Sequence, residues 1–505
     1  MDRKLTLGIL IAAFTLAGCQ KDNSEQIKES SVKENVSSFN EVAMADLGKE
    51  AAAEISAYDA VSKRLFVVNN DGGVKVDILD LSKFPVVSKS QTLNYSSISA
   101  GINSVAVYKG ILAVALDGLN RQENGRIVLV NAATLTELKQ VIVGAMPDMV
   151  TYSPDGKYVL TANEGEPNKE YTDDPLGSIS IIDVKNNYSV KTLDFARFES
   201  SKASLLNACF RIFGLNASFA KDIEPEYFTV SDDSRKAWVT LQENNGIAEV
   251  DLTTSSIVRI IPLNAKDILN PENAFDVSDK DGKTELNTWP VKSFYLPDAI
   301  SYFSDNGKEY LALANEGDTR DYDAFKEEIR VKDMKLDATR FSNAASLQLE
   351  SNLGRLIVTN TRGDTDGDGD FDEIYGIGGR SVTILDAVSG ALVADIGKDL
   401  EQRVISAGKY DDTRSDNKGV EVETVVVAKL GGANIAFISM ERADMVAIYD
   451  LSNPSKPKFL QLFSTGDAPE GILYIKPDDS PNGRSLLIIS CEGDGTVRFY
   501  QPDKL

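Results

Sequence analysis

Not one histidine occurs among the 505 residues of this chain, and cysteine appears only three times. Without histidine there is no Ser-His-Asp triad, no Cys-His pair and no His-ligated zinc or iron centre. The cysteines, Cys19, Cys209 and Cys491, show no CxxC spacing, which argues against a zinc site or a disulfide framework. Cys209 and Cys491 read as two small buried side chains. Chemistry here has to run on carboxylates, Lys, Arg, Tyr, Ser or a metal held by oxygen. Positive charge is short as well: 53 Lys and Arg stand against 77 Asp and Glu, a net charge of −24. Such a surface repels nucleic acid and anionic lipid headgroups and attracts cations, so nucleic-acid binding is set aside. Long apolar runs are lacking too. The run Leu5 to Leu16 is too short for a stable membrane span.

That run follows Arg3 and Lys4 and closes on Leu16–Cys19 (LAGC). Basic residues, an apolar stretch and small residues before a cysteine read as a secretory signal peptide over residues 1–18. The final four residues resemble a bacterial lipobox, which implies cleavage before Cys19 and acylation of its thiol. The plainer alternative is an ordinary signal peptide ending near a cysteine. Gln20, where Asp is absent, resembles the sorting signal of Gram-negative outer-membrane lipoproteins. Residues 19–38, rich in Lys, Glu, Ser and Asn, are expected to form a disordered tether. Residues 39–505 remain as the folded domain, and an apolar fraction of 42% is ample for its core.

Self-similarity organises that domain. An apolar strand ending in Asn, Asp or Glu, a turn, and a second strand ending near Asp recur seven times. The pairs are Leu65–Asn69 with Gly73–Asp80, Leu112–Asp117 with Gly125–Asn131, and Tyr158–Glu164 with Gly177–Asp183. Next come Ala237–Glu243 with Gly246–Asp251, and Tyr310–Glu316 with Gly379–Asp386. Ile435–Glu441 with Met445–Asp450 and Leu486–Glu492 with Gly495–Tyr500 complete the set. A further strand precedes most pairs across a tight turn, such as Ser153–Lys157, and a weaker one follows. Four strands repeated seven times predict an all-β, seven-bladed β-propeller. The chain ends at the third strand of the last blade, so a spare strand near Asn40–Leu47 is expected to complete it and cover its edge. Insertions around 189–222, 264–292 and 317–378 stretch blades 3 to 5 and are expected as loops or small helices on the faces.

Several stretches carry a resemblance: Asn163–Asn168 (NEGEPN), Asp222–Tyr227 (DIEPEY), Leu241–Gly246 (LQENNG), Ala314–Tyr322 (ANEGDTRDY), Asp364–Glu373 (DTDGDGDFDE) and Ser480–Gly483 (SPNG). Together they are similar to the choice-of-anchor I family of bacterial surface proteins. They also resemble the mesenchyme-specific cell-surface glycoproteins of biomineralising animals. Cys491 departs from the Ala-Asn-Glu pattern that the resemblance implies there. The resemblance implies a surface protein; family members are often labelled alkaline-phosphatase-like without a defined catalytic site.

Asp364, Asp366 and Asp368 alternate, Gly369 follows, and Asp370, Asp372 and Glu373 crowd behind. Alternating aspartates around a glycine-permitted turn put hard oxygen ligands on one small loop, as in EF-hand-like calcium sites. The twelfth position is Tyr375, so the usual bidentate Glu is missing and the loop reads as a structural calcium site. Asp279–Gly282 with Glu285 is a weaker echo.

A second acidic set follows from the repeat. The innermost strands open on Glu54, Asn103, Asp148, Glu226, Asp298, Glu421 and Glu470, and the second strands close on Asn69, Asp117, Glu164, Glu243, Glu316, Glu441 and Glu492. Adjacent antiparallel strands bring both sets to one mouth of the central channel. So many carboxylates need cations, Arg partners, backbone donors or raised pKa values. Arg320, Arg442 and Lys418 are near in sequence. One reading is that these residues cap strand ends. The sharper one is a divalent-cation site formed by Glu164, Glu226, Glu243, Asp298 and Glu316.

Two functions fit. The first is a lipid-anchored, calcium-binding scaffold on the cell surface that takes a protein, glycan or mineral ligand. The second is a calcium-dependent phosphomonoesterase of alkaline-phosphatase or phytase type, against which stand the lack of a basic cluster and of a recognisable nucleophile.

Overall fold

In the computed structural model, residues 33–505 are described. The expected signal peptide, Cys19 and most of the expected tether lie outside those residues. Residues 34–38, expected in the tether, belong instead to a strand, Glu34–Asp46.

Each of the seven expected strand pairs sits in one of seven four-stranded antiparallel sheets, six of them in simple chain order. The first sheet holds Ser56–Asp59, Arg64–Asn69, Lys75–Lys83 and Val86–Asn94. The second and third open on Ile102–Tyr108 and Pro147–Tyr152, the fourth and fifth on Pro225–Val230 and Ile300–Asp305. The sixth and seventh open on Val422–Leu430 and Pro469–Ile475. These seven first strands touch one another in turn, and the last touches the first, so they form a closed ring. Seven apolar clusters fill the seven gaps between neighbouring sheets.

That arrangement explains the sequence pattern. A sheet packed on both faces buries nearly all of its second strand, so these second strands read as mainly apolar runs. Tyr158–Asn163 is buried along its whole length. The outer strand Val86–Asn94 is mostly exposed, which is why outer strands gave a weak signal. Closure is non-local: Glu34–Asp46 pairs antiparallel with Thr496–Lys504 and supplies the outer strand of the seventh sheet.

The insertions depart from expectation. Residues 189–222 do contain a short helix, Lys202–Asn207. The other two combine into a five-stranded sheet, ordered Ala265–Asp267, Lys292–Phe294, Tyr375–Gly376, Ile357–Thr359 and Glu328–Arg330. Lys292–Phe294 and Tyr375–Gly376 run parallel. This sheet packs on its own core around Phe275, Val331, Phe341, Leu353 and Val358. Where the longer insertion leaves and rejoins the fifth sheet, a Cβ on Gly317 (φ +103°) would lie 2.4 Å from Gly378 Cα. The chains cross so closely that only glycine fits.

Helix Gly397–Ser406 buries Glu401 against Arg380, whose guanidinium already donates to the carbonyls of Asp276, Ser415 and Asn417. Burial pushes the Glu401 carboxyl up to about 7, against the pull of Arg380 and Lys266, with Asp276 pushing the same way. A raised carboxyl pKa favours the fold below the unfolded value of 4.5, and that stability is lost as pH climbs through about 7. The loss is on the order of 3 kcal/mol. Glu401→Gln should therefore melt above the parent protein at pH 8 and near it at pH 5. Parallel melting curves of the two proteins across that range would contradict this.

No helix among the described residues is long and apolar enough to cross a membrane. Cys209 and Cys491 are both free thiols.

Candidate metal centres

Backbone geometry at the start of the first strands repeats from sheet to sheet. Met146, Leu296, Glu421 and Ala468 all adopt left-handed φ values of 48–53°. The amides of Glu164, Glu441 and Glu492 donate to the carbonyls of Met146, Glu421 and Ala468 at 2.8–2.9 Å. Asp148, Asp298, Glu423 and Glu470, each two residues further on, are therefore equivalent. Glu421 was expected in this set and does not belong to it. Pro147, Pro297 and Pro469 mark the register in the other sheets, but Val422 stands at that position in the sixth and hides it.

A cavity of about 190 Å³ lies between the first strands, lined among others by Glu54, Asp148, Asp298, Glu470 and Glu492. Burial pushes Glu54 and Asp148 up to about 7 and Asp298 and Glu470 well above the carboxylate range, with neighbouring carboxylates adding to it.

The five carboxylates expected to share one ion fall into two groups. Glu164, Glu226 and Glu243 each bring an oxygen within 4.8 Å of the others, and Asp298 and Glu316 do so with Glu423. Counter-charge separates them. Lys418 reaches Glu316 at 2.5 Å and Glu421 at 3.5 Å, and Gln242 donates to Glu316 at 2.8 Å. Arg414 and Arg442 bind Glu421, and Arg442 also binds Glu441. Those cations overcome burial and hold Glu421 below its ordinary value. Arg320 does not reach Glu164, Glu226 or Glu243, because it is committed to Asp222 and Glu224 at 2.7 Å each. Burial, with neighbouring carboxylates, pushes Glu164 and Glu226 well above the usual range. Burial raises Glu243 to about 8 despite the nearby Arg320.

Loops of three sheets cover this group. Tyr322 donates to Glu166 at 3.1 Å and meets Tyr171 edge-on, with ring centroids 5.3 Å apart. The amide of Ala324 donates to the Lys169 carbonyl. Arg211 pairs with Glu327 in the interior and bonds the Glu243 carbonyl. Arg211 and Glu327 were not singled out from the sequence, and Asp222 and Glu224 entered only within a stretch that carries the resemblance. Their pairing has no local mark, since each finds its partner across roughly a hundred residues.

In the acidic loop, Asp364, Asp366 and Asp372 converge within 4.8 Å. Gly367 and Gly369 take positive φ and turn their amides onto Asp364 at 2.7 and 3.1 Å. Asp368, Asp370 and Glu373, expected as ligands, are not part of that group. Asp370 faces Lys335 at 3.4 Å, and Glu373 is held by Lys292 at 2.6 Å and the Tyr375 hydroxyl at 2.7 Å. The Asp279 echo does not converge either, because Arg355 takes that carboxylate at 2.7 Å.

A family model described as the choice-of-anchor I domain matches residues 54–454. Gigasin-3a from Magallana gigas is 28% identical over 189 residues, covering 31% of this chain and 66% of that protein. The chain thus spans just under two thirds of that relative's length. Among solved structures, hydrazine synthase of Kuenenia stuttgartiensis aligns at 12% identity with TM-score 0.49, over 90% of this chain and 96% of that one. The Pan2 WD40 domain of Neurospora crassa aligns at 9% and 0.49, over 94% and 98%. The Cps50 (Swd1) β-propeller domain of Myceliophteria thermophila aligns at 9% and 0.47, over 92% and 100%.

Proposed function

This chain belongs to the choice-of-anchor I family, and from that premise we propose a cell-surface, calcium-binding scaffold built as a seven-bladed β-propeller. The seven four-stranded sheets are its blades, and the ring of first strands lines its channel. The observation that carries the calcium reading is the convergence of Asp364, Asp366 and Asp372 on a loop whose glycines permit the curl. Three hard oxygens on one turn suit calcium, which takes oxygen ligands in flexible geometry. Bound there, the ion would hold Asp364 and Asp366 to Asp372 across the turn. The net charge of −24 keeps the rest of the surface attractive to cations and to cation-bearing ligands. Acylated Cys19 would hold the domain at the outer membrane.

The phosphomonoesterase reading is weaker. A phosphate needs cations that are free to meet it. Around the mouth, Lys418, Arg121, Arg320, Arg414 and Arg442 all sit on carboxylates.

Calcium should raise the melting temperature by mass action, adding about 2.7 kcal/mol of stability at a hundredfold excess over Kd. Asp366→Ala should remove most of the part due to the loop. A melting curve indifferent to both chelator and Asp366→Ala would sink the calcium reading. In the same preparation, chelator-sensitive turnover of an aryl phosphate or phytate would favour the enzyme. Retention of Cys19→Ser in the membrane fraction would remove the lipid anchor from the proposal.

A further inference from the structure

We propose that Glu164, Glu226 and Glu243 form a second divalent-cation site, of calcium type, under the loops that cover the channel mouth. It is independent of the 364–373 loop and stands whether or not that loop binds an ion.

Three observations carry it. The first is geometry: one oxygen from each carboxylate lies within 4.8 Å of the other two. Oxygens at calcium's bond length reach about 4.6–5.2 Å across the ion, so the set fits around one calcium with little movement. Magnesium retains several waters in a strict octahedron and suits a covered pocket less.

The second is unpartnered oxygen. Glu226 and Glu243 are only 6% and 5% exposed, and Oε2 of each has no hydrogen-bond partner. A buried acceptor left bare costs about 1–3 kcal/mol, more when charged. Two such atoms beside a third carboxylate call for a cation.

The third is the contrast with the neighbouring acid groups. In the group of Asp298, Glu316 and Glu423, Lys418 pairs with Glu316, and Glu421 and Glu441 have Arg414 and Arg442. No Lys or Arg among the described residues forms an ion pair with Glu164, Glu226 or Glu243. The nearby Arg211 and Arg320 are spent on Glu327, and on Asp222 and Glu224. The fold thus provides its own counter-charge to two acid groups of the mouth and leaves the third for an ion from solution. Glu164 belongs to the third sheet, and Glu226 and Glu243 to the fourth. Tyr322, above them on the longer insertion, bonds Glu166. A bound ion would join two sheets beneath that cover.

Calcium titration of the full chain by calorimetry tests this. The parent protein is expected to bind one ion more than the loop accounts for. Asp366→Ala should keep that ion, and Glu226→Gln with Glu243→Gln in the same background should abolish it. Glu164→Gln, at a half-buried position, keeps the proposal testable if the double variant misfolds. It should weaken the remaining ion at least as much as the roughly 10- to 100-fold that outer-shell changes cost. Residual binding that none of these glutamines alters overturns the site. So does an Asp366→Ala protein that binds no calcium and melts higher once Glu226 and Glu243 are glutamine. That result would mean the three carboxyls share protons and hold no ion. A failure of the loop alone leaves the glutamine series unchanged, so the two sites are judged separately.

Discussion

Arg320→Met is expected to destabilise the protein by about 3–5 kcal/mol, far more than a typical substitution, because it strands two buried carboxylates. Arg320 is 2% exposed and lies on the insertion of the fifth sheet. Its Nη1 donates to Asp222 Oδ1 at 2.7 Å, its Nη2 to the Asp222 carbonyl at 2.8 Å, and its Nε to Glu224 Oε2 at 3.1 Å. The guanidinium also lies 4.6 Å from the Phe213 ring centroid. Met fills much of the volume and none of the charge. Lys would not rescue it, since a single ammonium cannot span both carboxylates as a planar fork does. Neutralising the partners should help: Arg320→Met with Asp222→Asn and Glu224→Gln ought to lose less than Arg320→Met alone, a non-additivity expected only of a coupled buried network. Urea unfolding at fixed calcium measures both. A single variant within about 0.5 kcal/mol of the parent would show that the pair carries no such weight.

Removal of residues 1–46 should be worse still. The chain would then lose Glu34–Asp46, the outer strand of the seventh sheet, and bare the edge of Thr496–Lys504. An uncovered, well-ordered edge offers unpaired amides and carbonyls to any other chain, so the truncated protein is expected to associate. Phe39 shows where the energy lies. It is 1% exposed, meets Phe437 edge-on at 5.3 Å, and its backbone is bonded in both directions by the Gln461 side chain. Phe39→Ala by itself should cost about 3–5 kcal/mol. Light scattering after size exclusion, beside thermal melting, decides the matter. A monomeric truncated chain with an unchanged melting temperature would mean that the strand is an appendage and not the closure of the seventh sheet.

Much of this architecture is legible in the amino-acid sequence. The second strands of each sheet are buried on both faces, so Tyr158–Asn163 or Leu486–Cys491 stand out as mainly apolar runs. The acidic mouth was also legible, because antiparallel pairing alone brings the start of one strand to the end of the next. The five-stranded sheet was not. Its strands are two or three residues long, and one pairing joins Lys292 to Tyr375 in parallel, so no local periodicity announces it. Glu423 was missed for a smaller reason: with Val422 in place of proline, the left-handed turn at Glu421 set the register, and a turn angle leaves no mark in a pattern of apolar residues.

Sequence alone determined that seven similar units must close on themselves and gather carboxylates at one end, since both follow from spacing within each unit. Only the tertiary structure decided which carboxylates keep company with a cation. Lys418 arrives at Glu316 from about a hundred residues away, and Arg320 turns to Asp222 and Glu224 from as far. Charge falls off over a few ångströms and is indifferent to position along the chain. Glu164, Glu226 and Glu243 are therefore told apart from Glu316 by what folds beside them, not by any residue next to them in the chain.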